Sequence, residues 1–292
     1  MLLLVSGTST LSKTGWFIVN RIENYNELET SIVTWIQDYV DKNKIKSLVV
    51  GVSGGIDSAV VSTLCARTGI PTYVLSMPLN SSTANDSLSD SYTTYLENTY
   101  DNVTKIRIEL SAVYQTLITS FDLWTSVGKY TDSDLANANT KSRLRMVSLY
   151  QVAGSVGGIV VGTGNKVEDY GVGFYTKYGD GGVDIAPIAD LYKTEVWELG
   201  KYLGVDERII DAPPTDGLWE DSRTDESQLG ASYEDLEWVM DSGITEHAKD
   251  PSECDQWIGK PITETQKSAV KQYMKFNRQN KHKMEPIPTF KL

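Results

Sequence analysis

The alternation of short apolar runs with amphipathic stretches constrains the fold of this 292-residue chain more than any other sequence feature. The apolar, β-rich runs are 46–52, 71–77, 103–110 and 158–162. The stretches between them with helical periodicity or helix-compatible composition are 28–40, 57–67, 85–98, 111–127 and 132–154. Strands that alternate with helical crossovers predict a parallel sheet with helices on both faces. We therefore predict an α/β fold built on a doubly wound, Rossmann-like parallel β-sheet.

Two segments do not follow this alternation. Segment 171–184 contains five glycines, and segment 212–230 is acidic, contains proline and lacks apolar periodicity. Long irregular segments in a compact domain are usually functional loops, so we predict that both form walls of a site. A helix is predicted at 263–280, with Thr263 as its N-cap, and a basic run follows it at 281–283.

Composition excludes several classes of protein. The 39 acidic and 27 basic residues give a net charge of -12, which argues against a broad nucleic-acid surface but leaves room for one small basic pocket. The two cysteines lack the spacing of a zinc site or a disulfide scaffold. The N-terminal apolar run lacks a basic segment before it, and no apolar run is long enough to span a membrane. We predict a cytoplasmic protein with no membrane or nucleic-acid partner.

The strongest local signal is the run Gly51-Val52-Ser53-Gly54-Gly55-Ile56-Asp57-Ser58, where a predicted strand gives way to a predicted helix. Glycines allow a sharp turn close to a ligand, and the start of a helix offers N-H groups and a positive dipole to an anion. The run matches neither the Walker A nor the dinucleotide-binding pattern. A carboxylate at Asp57 beside phosphates suggests an intervening Mg²⁺. The alternative is an ordinary turn in which Asp57 and Ser58 cap the helix.

These residues support a resemblance to a known family. Residues 53–58 (SGGIDS) resemble the loop of the ATP pyrophosphatases of the adenine nucleotide alpha-hydrolase-like superfamily, which cleave ATP between its α and β phosphates and adenylate a substrate. Segments 139–146, 161–168 and 173–184 resemble, in order, the motifs of ammonia-dependent NAD synthetases. The resemblance implies a single synthetase domain at 25–292 after an N-terminal extension at 1–24. Residues 1–20 match nothing in the family, and a strand pair and a dimer extension are alternatives for them.

The resemblance also implies which residues bind the substrates. The implied ATP site comprises Gly51, Val52, Ser53, Gly54, Gly55, Ile56, Asp57, Ser58, Thr163, Lys193 and Thr215. Asp57 and Glu168 would bind Mg²⁺, and Lys193 would offset charge that develops on the phosphates. The implied deamido-NAD site comprises Arg143, Tyr150, Phe174, Lys177, Asp184, His282 and Lys283. Tyr150 and Phe174 would flank the nicotinate ring, although their residue types fit core aromatics equally well.

The implied reaction is amidation of deamido-NAD. The nicotinate carboxylate attacks the α-phosphate of ATP and releases pyrophosphate, and ammonia then displaces AMP to give NAD. The implied catalytic residues are Asp57, Glu168, Lys193 and Asp184, the last of which, with Asp180, would bind or deprotonate ammonium. Ammonia is the expected donor because only about 25 residues precede the homologous region, whereas glutamine-using relatives carry a glutaminase domain there. The family also implies a homodimer with deamido-NAD at its interface.

The sequence departs from the family pattern at three places. Gly164-Asn165 replaces a common Asp-His pair, stretch 169–172 is one residue longer, and Met284 stands where a second basic residue is common. The alternatives are a GMP synthetase core, a tRNA sulfur transferase, and a non-catalytic adenine-nucleotide sensor on the same fold. The acidic charge, the lack of a CxxC motif and the Gly-Asp-Gly-Gly loop disfavour the first two, and the retained carboxylates Asp57 and Glu168 disfavour the third.

Overall fold

The structure is a computed structural model that describes residues 9–11, 17–19, 22–79, 83–125, 134–215, 217–219, 223–244 and 262–291. Two short strands, β1 (Ser9–Leu11) and β2 (Phe17–Val19), form an antiparallel pair ahead of the main sheet. A strand pair was one of the two alternatives for residues 1–20.

The main sheet has four described strands, all parallel, in the order β5-β4-β3-β6. They are β3 (Ser47–Gly51), β4 (Thr72–Ser76), β5 (Val103–Arg107) and β6 (Gly158–Val160). The helices are α1 (Tyr25–Asn43), α2 (Ile56–Arg67), α3 (Thr83–Thr99), α4 (Ser111–Thr125), α5 (Asp134–Val156), α6 (Lys193–Leu203), α7 (Glu207–Ile210), α8 (Asp225–Leu229), α9 (Tyr233–Asp241) and α10 (Glu264–Met284). The predicted doubly wound parallel sheet is confirmed, with strands slightly shorter than predicted.

The strands bury alternate side chains against helices on opposite faces of the sheet. Leu48 and Val50 of β3 belong to a core cluster with apolar residues of α1, α2 and α6. Val49 belongs to a different cluster, in which Met146 and Leu149 of α5 are buried. Successive side chains of a strand point to opposite faces, so an uninterrupted apolar run is what a sheet covered on both faces requires.

The strand order places a crevice at one edge of the sheet. β3 lies between β4 and β6, and the chain runs outward from β3 through β4 to β5 before it returns through α5 to β6. Ligands of open α/β sheets bind outside the carboxyl ends of the strands at such a reversal. The glycine-rich run 51–58 follows the carboxyl end of β3, so the topology positions it at this crevice.

A further apolar cluster contains Leu229 of α8, Tyr233 and Leu236 of α9, and Val270 of α10. No helix or strand was predicted from the sequence at 185–211 or 231–244, and 212–230 was predicted to be irregular throughout. The structure corrects this prediction, because Thr224 caps α8 and Gly230, with a φ of 72°, ends it.

In the described part of the chain, no helix is long and apolar enough to cross a membrane.

Helix α10 is longer than predicted and includes the basic run. It ends at Met284, so residues 281–283 form its last turn, where cations interact favourably with the helix dipole. Thr263 is its N-cap, as predicted, and Gln266 completes a capping box. Cys65 is a buried free thiol, and Cys254 lies outside the described residues.

A π-helical segment, Lys166–Val172, contains the stretch 169–172, which the sequence comparison with the family pattern indicated to be one residue longer. The N-H of Gly173 donates to the carbonyl of Glu168, five residues earlier, which is the π-helical spacing. The segment takes up Gly171 and Val172, which we had predicted to belong to the irregular loop. A side chain at position 171 would collide with Met240, because its Cβ would lie 2.8 Å from the Met240 sulfur.

Candidate active site

A cavity of about 820 Å³ opens at the carboxyl ends of β3 and β6. Every predicted ATP-site residue lines it: Gly51, Val52, Ser53, Gly54, Gly55, Ile56, Asp57, Ser58, Thr163, Lys193 and Thr215. Glu168 and five residues predicted for deamido-NAD line it as well: Arg143, Phe174, Lys177, His282 and Lys283. The fold therefore brings two sets of residues, far apart in sequence, to one cavity.

Two serines hold the loop between β3 and α2. Ser58 Oγ accepts a hydrogen bond from the backbone N-H of Ser53 at 3.1 Å and donates to the carbonyl of Gly55 at 2.9 Å. Ser53 Oγ accepts from the N-H of Gly55 at 3.2 Å. Gly54 has a φ of 89°, a conformation that favours glycine. Gly55 is the N-cap of α2, so the start of this helix carries no capping side chain of its own.

Asp57, Glu168 and Lys193 form a triad of charges in the cavity wall. The Nζ of Lys193 lies 2.6 Å from Asp57 Oδ2 and 3.0 Å from Glu168 Oε1, and the lysine side chain is only 3% exposed. Asp57 belongs to the first turn of α2, Glu168 to the π-helical segment, and Lys193 to the first turn of α6. Asp57 therefore does not cap α2, because its carboxylate pairs with Lys193.

The triad carries one net negative charge when all three groups are ionised. Burial raises the pKa of Asp57, and Lys193 opposes this rise. Burial alone would also raise the pKa of Glu168, but Lys193 and the Tyr233 hydroxyl outweigh it and hold this pKa below its ordinary value. Burial would lower the pKa of Lys193, but Asp57 and Glu168 raise it further, so the ammonium keeps its proton.

Asn165, which belongs to the Gly164-Asn165 departure from the family pattern, has a structural role. Its Oδ1 accepts from the N-H groups of Val167 and Glu168, at 3.0 and 3.1 Å, and so caps the π-helical segment. Its Nδ2 lies 3.5 Å from Asp57 Oδ1. The fully buried Asn165 side chain therefore connects the segment that carries Glu168 with the carboxylate of Asp57.

Tyr233 and Asp225 also lie beside the triad, and neither was predicted from the sequence. The Tyr233 hydroxyl donates to Glu168 Oε1 at 2.5 Å, and Asp225 Oδ2 lies 3.5 Å from the same hydroxyl. The spacing of Ser232 and Asp235 could have predicted the start of α9, because the Ser232 side chain caps this helix at the N-H of Asp235. No local pattern predicts that the Tyr233 hydroxyl reaches Glu168, 65 residues earlier in the chain.

The donor set of the triad fits a magnesium ion bound together with phosphates. Asp57 and Glu168 direct carboxylate oxygens towards one shared cation, Lys193, and they exceed its charge. Mg²⁺ prefers oxygen ligands and is usually held by one or two carboxylates plus substrate phosphates and water. The described residues contain no group of three or more His, Cys, Asp or Glu side chains that could hold a metal without a substrate.

Glu237 anchors the N-terminal turn of α6, which carries Lys193. Its Oε1 accepts from the backbone N-H of Thr194 at 2.9 Å, and its Oε2 accepts from the Thr194 hydroxyl at 2.6 Å. Burial raises the pKa of Glu237 to about 7, although both Thr194 hydrogen bonds oppose the rise. The carboxyl group is therefore protonated in the folded protein over a pH range in which it is ionised in the unfolded chain.

Glu237→Gln is expected to remove a pH-dependent part of the stability. In the wild type, the unfolded chain releases this proton near the ordinary pKa of 4.5, while the folded protein keeps it until about pH 7. Protonation therefore favours the folded state below this range, and the free energy of unfolding should fall by about 3 kcal/mol as the pH rises through it. Urea unfolding at a series of pH values measures the difference between wild type and variant. Glu198→Gln, at an exposed site on α6, is the control, and parallel curves for wild type and Glu237→Gln would contradict the expectation.

Two basic residues of the cavity lining, Arg143 and Lys283, also hold its walls together. Lys283 Nζ donates to the carbonyls of Gly173 and Tyr175, at 2.6 and 2.7 Å, and so joins α10 to the glycine-rich segment. Arg143 Nε donates to the carbonyl of Lys177 at 3.2 Å. Met284 also packs here, because a Cβ added to Gly173 would lie 2.5 Å from its Cε. Arg143 and Lys283 both line the cavity, so they contribute positive potential to it.

Similarity to known proteins identifies the family of this chain. The family model described as NAD synthase matches residues 28–287. The NH(3)-dependent NAD(+) synthetase of Carboxydothermus hydrogenoformans is 38% identical over 222 residues, which cover 75% of this chain and 87% of that protein. The chain belongs to the NAD synthase family. This membership excludes the GMP synthetase core, the tRNA sulfur transferase and the non-catalytic sensor as interpretations of the sequence.

Solved structures extend the similarity to the NAD synthase fold. The NMN synthetase from Francisella tularensis superposes with a TM-score of 0.75 at 29% identity, and the match covers 93% of this chain and 100% of that one. The NH3-dependent NAD synthetase from Campylobacter jejuni subsp. jejuni gives a TM-score of 0.70 at 24% identity, with 92% and 100% covered. At that identity, the second likeness concerns the fold alone.

Two residues predicted for the substrate site of this NAD synthase family member do not line the cavity in the described structure: Tyr150 and Asp184. Asp184 Oδ2 accepts from the backbone N-H of Val160 at 2.8 Å, and its Oδ1 accepts from the Tyr150 hydroxyl at 3.1 Å. These bonds tie the end of the glycine-rich segment to β6 and α5. In this structure the Asp184 carboxylate therefore joins the glycine-rich segment to β6 and α5, and its catalytic role stays a prediction.

Asp180 is the other carboxylate that was considered for ammonium. It lines the cavity, and its Oδ1 accepts from the Ser142 hydroxyl at 2.6 Å and from the N-H of Thr176 at 3.1 Å. Desolvation of the carboxylate by burial raises the pKa of Asp180, and the Ser142 hydrogen bond opposes this rise. Of the two carboxylates considered for ammonium, Asp180 is therefore the one with access to the cavity.

Proposed function

We propose that this protein makes NAD from deamido-NAD, ATP and ammonia, within a single synthetase domain at residues 25–292. ATP adenylates the nicotinate carboxylate and releases pyrophosphate, and ammonia then displaces AMP. The observation that carries the proposal is the meeting, in one cavity, of the loop 51–58 with the Asp57, Lys193 and Glu168 triad. This arrangement suits a triphosphate, because it combines a helix N-terminus, a lysine and two carboxylates for a metal ion.

The two sides of the cavity divide the substrates between them. ATP phosphates are bound by the loop 51–58 and Lys193, with Thr163 and Thr215 at the walls. The acid nucleotide is bound by Arg143, Lys177, His282 and Lys283. The positive charges of the arginine and the two lysines attract its negatively charged phosphates. Such alignment and charge neutralisation supply most of the catalysis in a phosphoryl or adenylyl transfer, so no nucleophilic serine or cysteine is needed.

Asp57 and Glu168 are the proposed Mg²⁺ ligands. Bound with ATP, the ion would neutralise charge on the phosphates and on the departing pyrophosphate. Lys193, which pairs with both carboxylates in the structure, lies close enough to share this role. Asp180, held by Ser142 and Thr176, is the proposed group that binds ammonium and accepts its proton.

A homodimer is also proposed, with α5 in its interface. Val147 and Tyr150 lie on the outer face of α5 and are 66% and 41% exposed. Gly154, on the same face, has open space where a side chain would be. An exposed apolar face beside Arg143 and Asp184 suits a second copy of the chain, and it would bring Tyr150 to a site shared between subunits.

Val147→Glu is expected to dissociate this dimer. A charge at the centre of an apolar interface is left without a partner, so the dissociation constant should rise at least about a hundredfold. Sedimentation equilibrium over a range of protein concentrations measures the change. Trp35→Glu, at a half-exposed site on α1 across the sheet, is the control. Equal dimerisation of the wild type and Val147→Glu would contradict the proposed interface.

The likeness to the NMN synthetase from Francisella tularensis supports a second candidate substrate. An enzyme that makes NMN by the same amidation would take nicotinate mononucleotide, which carries the same reacting carboxylate without the adenylate half. The match covers all of that chain, so the two proteins share the whole cavity-forming fold. The high identity to the NAD synthetase of Carboxydothermus hydrogenoformans favours deamido-NAD.

An assay with purified protein tests both candidates. Protein supplied with ATP, Mg²⁺, ammonium and deamido-NAD should produce NAD, AMP and pyrophosphate, and a parallel reaction should contain nicotinate mononucleotide instead. A kcat/KM higher with the mononucleotide would make NMN synthesis the main activity. ADP as the product, or no turnover with either substrate, would overturn the proposed function. We place the reaction in the cytoplasm.

A further inference from the structure

Tyr233 is one of the largest fully buried side chains of the described structure, and it lies at the first position of α9. Its ring contacts the Trp197 ring edge to face, with centroids 5.9 Å apart. Tyr233 also belongs to the apolar cluster that contains Leu229 and Leu236. The ring therefore has a fixed position from which its hydroxyl acts on the charges of the triad.

The hydroxyl and the ring of Tyr233 reach two different members of the triad. The hydroxyl donates to Glu168 Oε1 at 2.5 Å, the same oxygen that Lys193 Nζ contacts at 3.0 Å. The ring centroid lies 5.0 Å from Lys193 Nζ, a distance at which the ring face attracts a cation. One side chain thus holds the carboxylate and flanks the ammonium that pairs with it.

Asp225 is a second possible acceptor for this hydroxyl proton. Its Oδ2 lies 3.5 Å from the phenol oxygen, and its backbone N-H donates to the carbonyl of Pro214 at 3.0 Å. A phenol has one proton, and the much shorter distance assigns it to Glu168.

We infer that Tyr233 is a positioning residue for the proposed metal site, which it serves by fixing the rotation of the Glu168 carboxylate through its hydroxyl. The inference rests on the proposed function. Two donors meet at Oε1, so the carboxylate cannot turn without breaking a short, charge-assisted hydrogen bond. Groups that orient metal ligands typically change metal affinity or activity by 10-fold to 100-fold when they are removed. Tyr233 does not line the cavity, so it acts on the metal site only through Glu168.

Tyr233→Phe tests the inference, because it removes the hydroxyl and keeps the ring. The Mg²⁺ concentration that gives half the maximal rate of NAD formation should rise about tenfold, with an unchanged KM for deamido-NAD. Binding of Mn²⁺ in the presence of ATP and without a pyridine nucleotide, followed by water proton relaxation, should weaken about as much. Tyr92→Phe is the matched control, since Tyr92 is buried and its hydroxyl bonds Thr63 away from the cavity.

The outcomes separate this inference from the proposed function. If the wild type makes neither NAD nor NMN, the proposed function fails before the variants are compared. If the wild type is active and Tyr233→Phe matches it in Mg²⁺ dependence and Mn²⁺ binding, the positioning role is overturned. Equal losses in Tyr233→Phe and Tyr92→Phe, with equally lowered melting temperatures, would also overturn it, because they would show a structural effect alone.

Discussion

Asp57→Asn is expected to lower the rate of AMP formation by about a thousandfold, comparable to the loss of a principal electrostatic contact in other active sites. Asp57 Oδ2 lies 2.6 Å from Lys193 Nζ at the start of α2, where the loop 51–58 meets the cavity. Asn has nearly the same shape but no charge, so it removes a proposed metal ligand and leaves the packing intact. The measurement is single-turnover formation of AMP at saturating ATP, with circular dichroism to verify the fold.

Glu168→Gln should give a loss of similar size, because Glu168 is the second carboxylate of the triad. Asp190→Asn is the control for both, since this aspartate is 91% exposed and pairs with Lys166 outside the cavity lining. Normal AMP formation by either triad variant would remove that residue from the proposed metal site. A normal rate with Asp190→Asn is required for the comparison to hold.

Lys193→Met is expected to abolish NAD formation and to destabilise the protein by about 3 to 5 kcal/mol in the absence of Mg²⁺. The side chain is 3% exposed and is the shared partner of Asp57 and Glu168. Methionine fills similar space but leaves two buried carboxylates facing each other without their ammonium. Added Mg²⁺ should recover part of the lost stability if the two carboxylates form a metal site.

Urea unfolding with and without Mg²⁺ measures this effect. Lys201→Met is the control, because Lys201 lies on the same helix, pairs with Glu198 and is 54% exposed, and exposed pairs contribute little. Equal stability of the two lysine variants would contradict the expectation. Loss of NAD formation in Lys193→Met with unchanged stability would show that Lys193 acts on the substrate and that its pairing with the two carboxylates does not stabilise the fold.

The fold could be predicted from the sequence because its signals are local. Apolar runs such as 46–52, separated by helical stretches, indicate a buried parallel sheet, and the structure confirms it. The loop 51–58 was also accessible, since glycines between a strand and a helix have a specific backbone role. Helix α8 was missed because it spans only Asp225–Leu229, too short to show periodicity.

The cavity could be predicted only in part. Asp57, Glu168 and Lys193 were assigned through a family resemblance, but their burial and mutual pairing depend on how three distant elements pack. Asn165 and Tyr233 acquire their roles only in three dimensions, because each supports a residue that is not its neighbour in sequence. Asp184 was assigned through the same resemblance, which does not show that its carboxylate bonds to the backbone N-H of Val160 in β6.

The π-helical segment connects Glu168 with the glycine-rich wall of the cavity. It contains Glu168 near its start and ends where Gly173 begins the glycine-rich wall, and it holds its additional residue between them. The register of the carboxylate is set upstream by the Asn165 cap, and that of the wall is set downstream by Lys283. The winding between these two anchors therefore sets how far the Glu168 carboxylate lies from the glycine-rich wall.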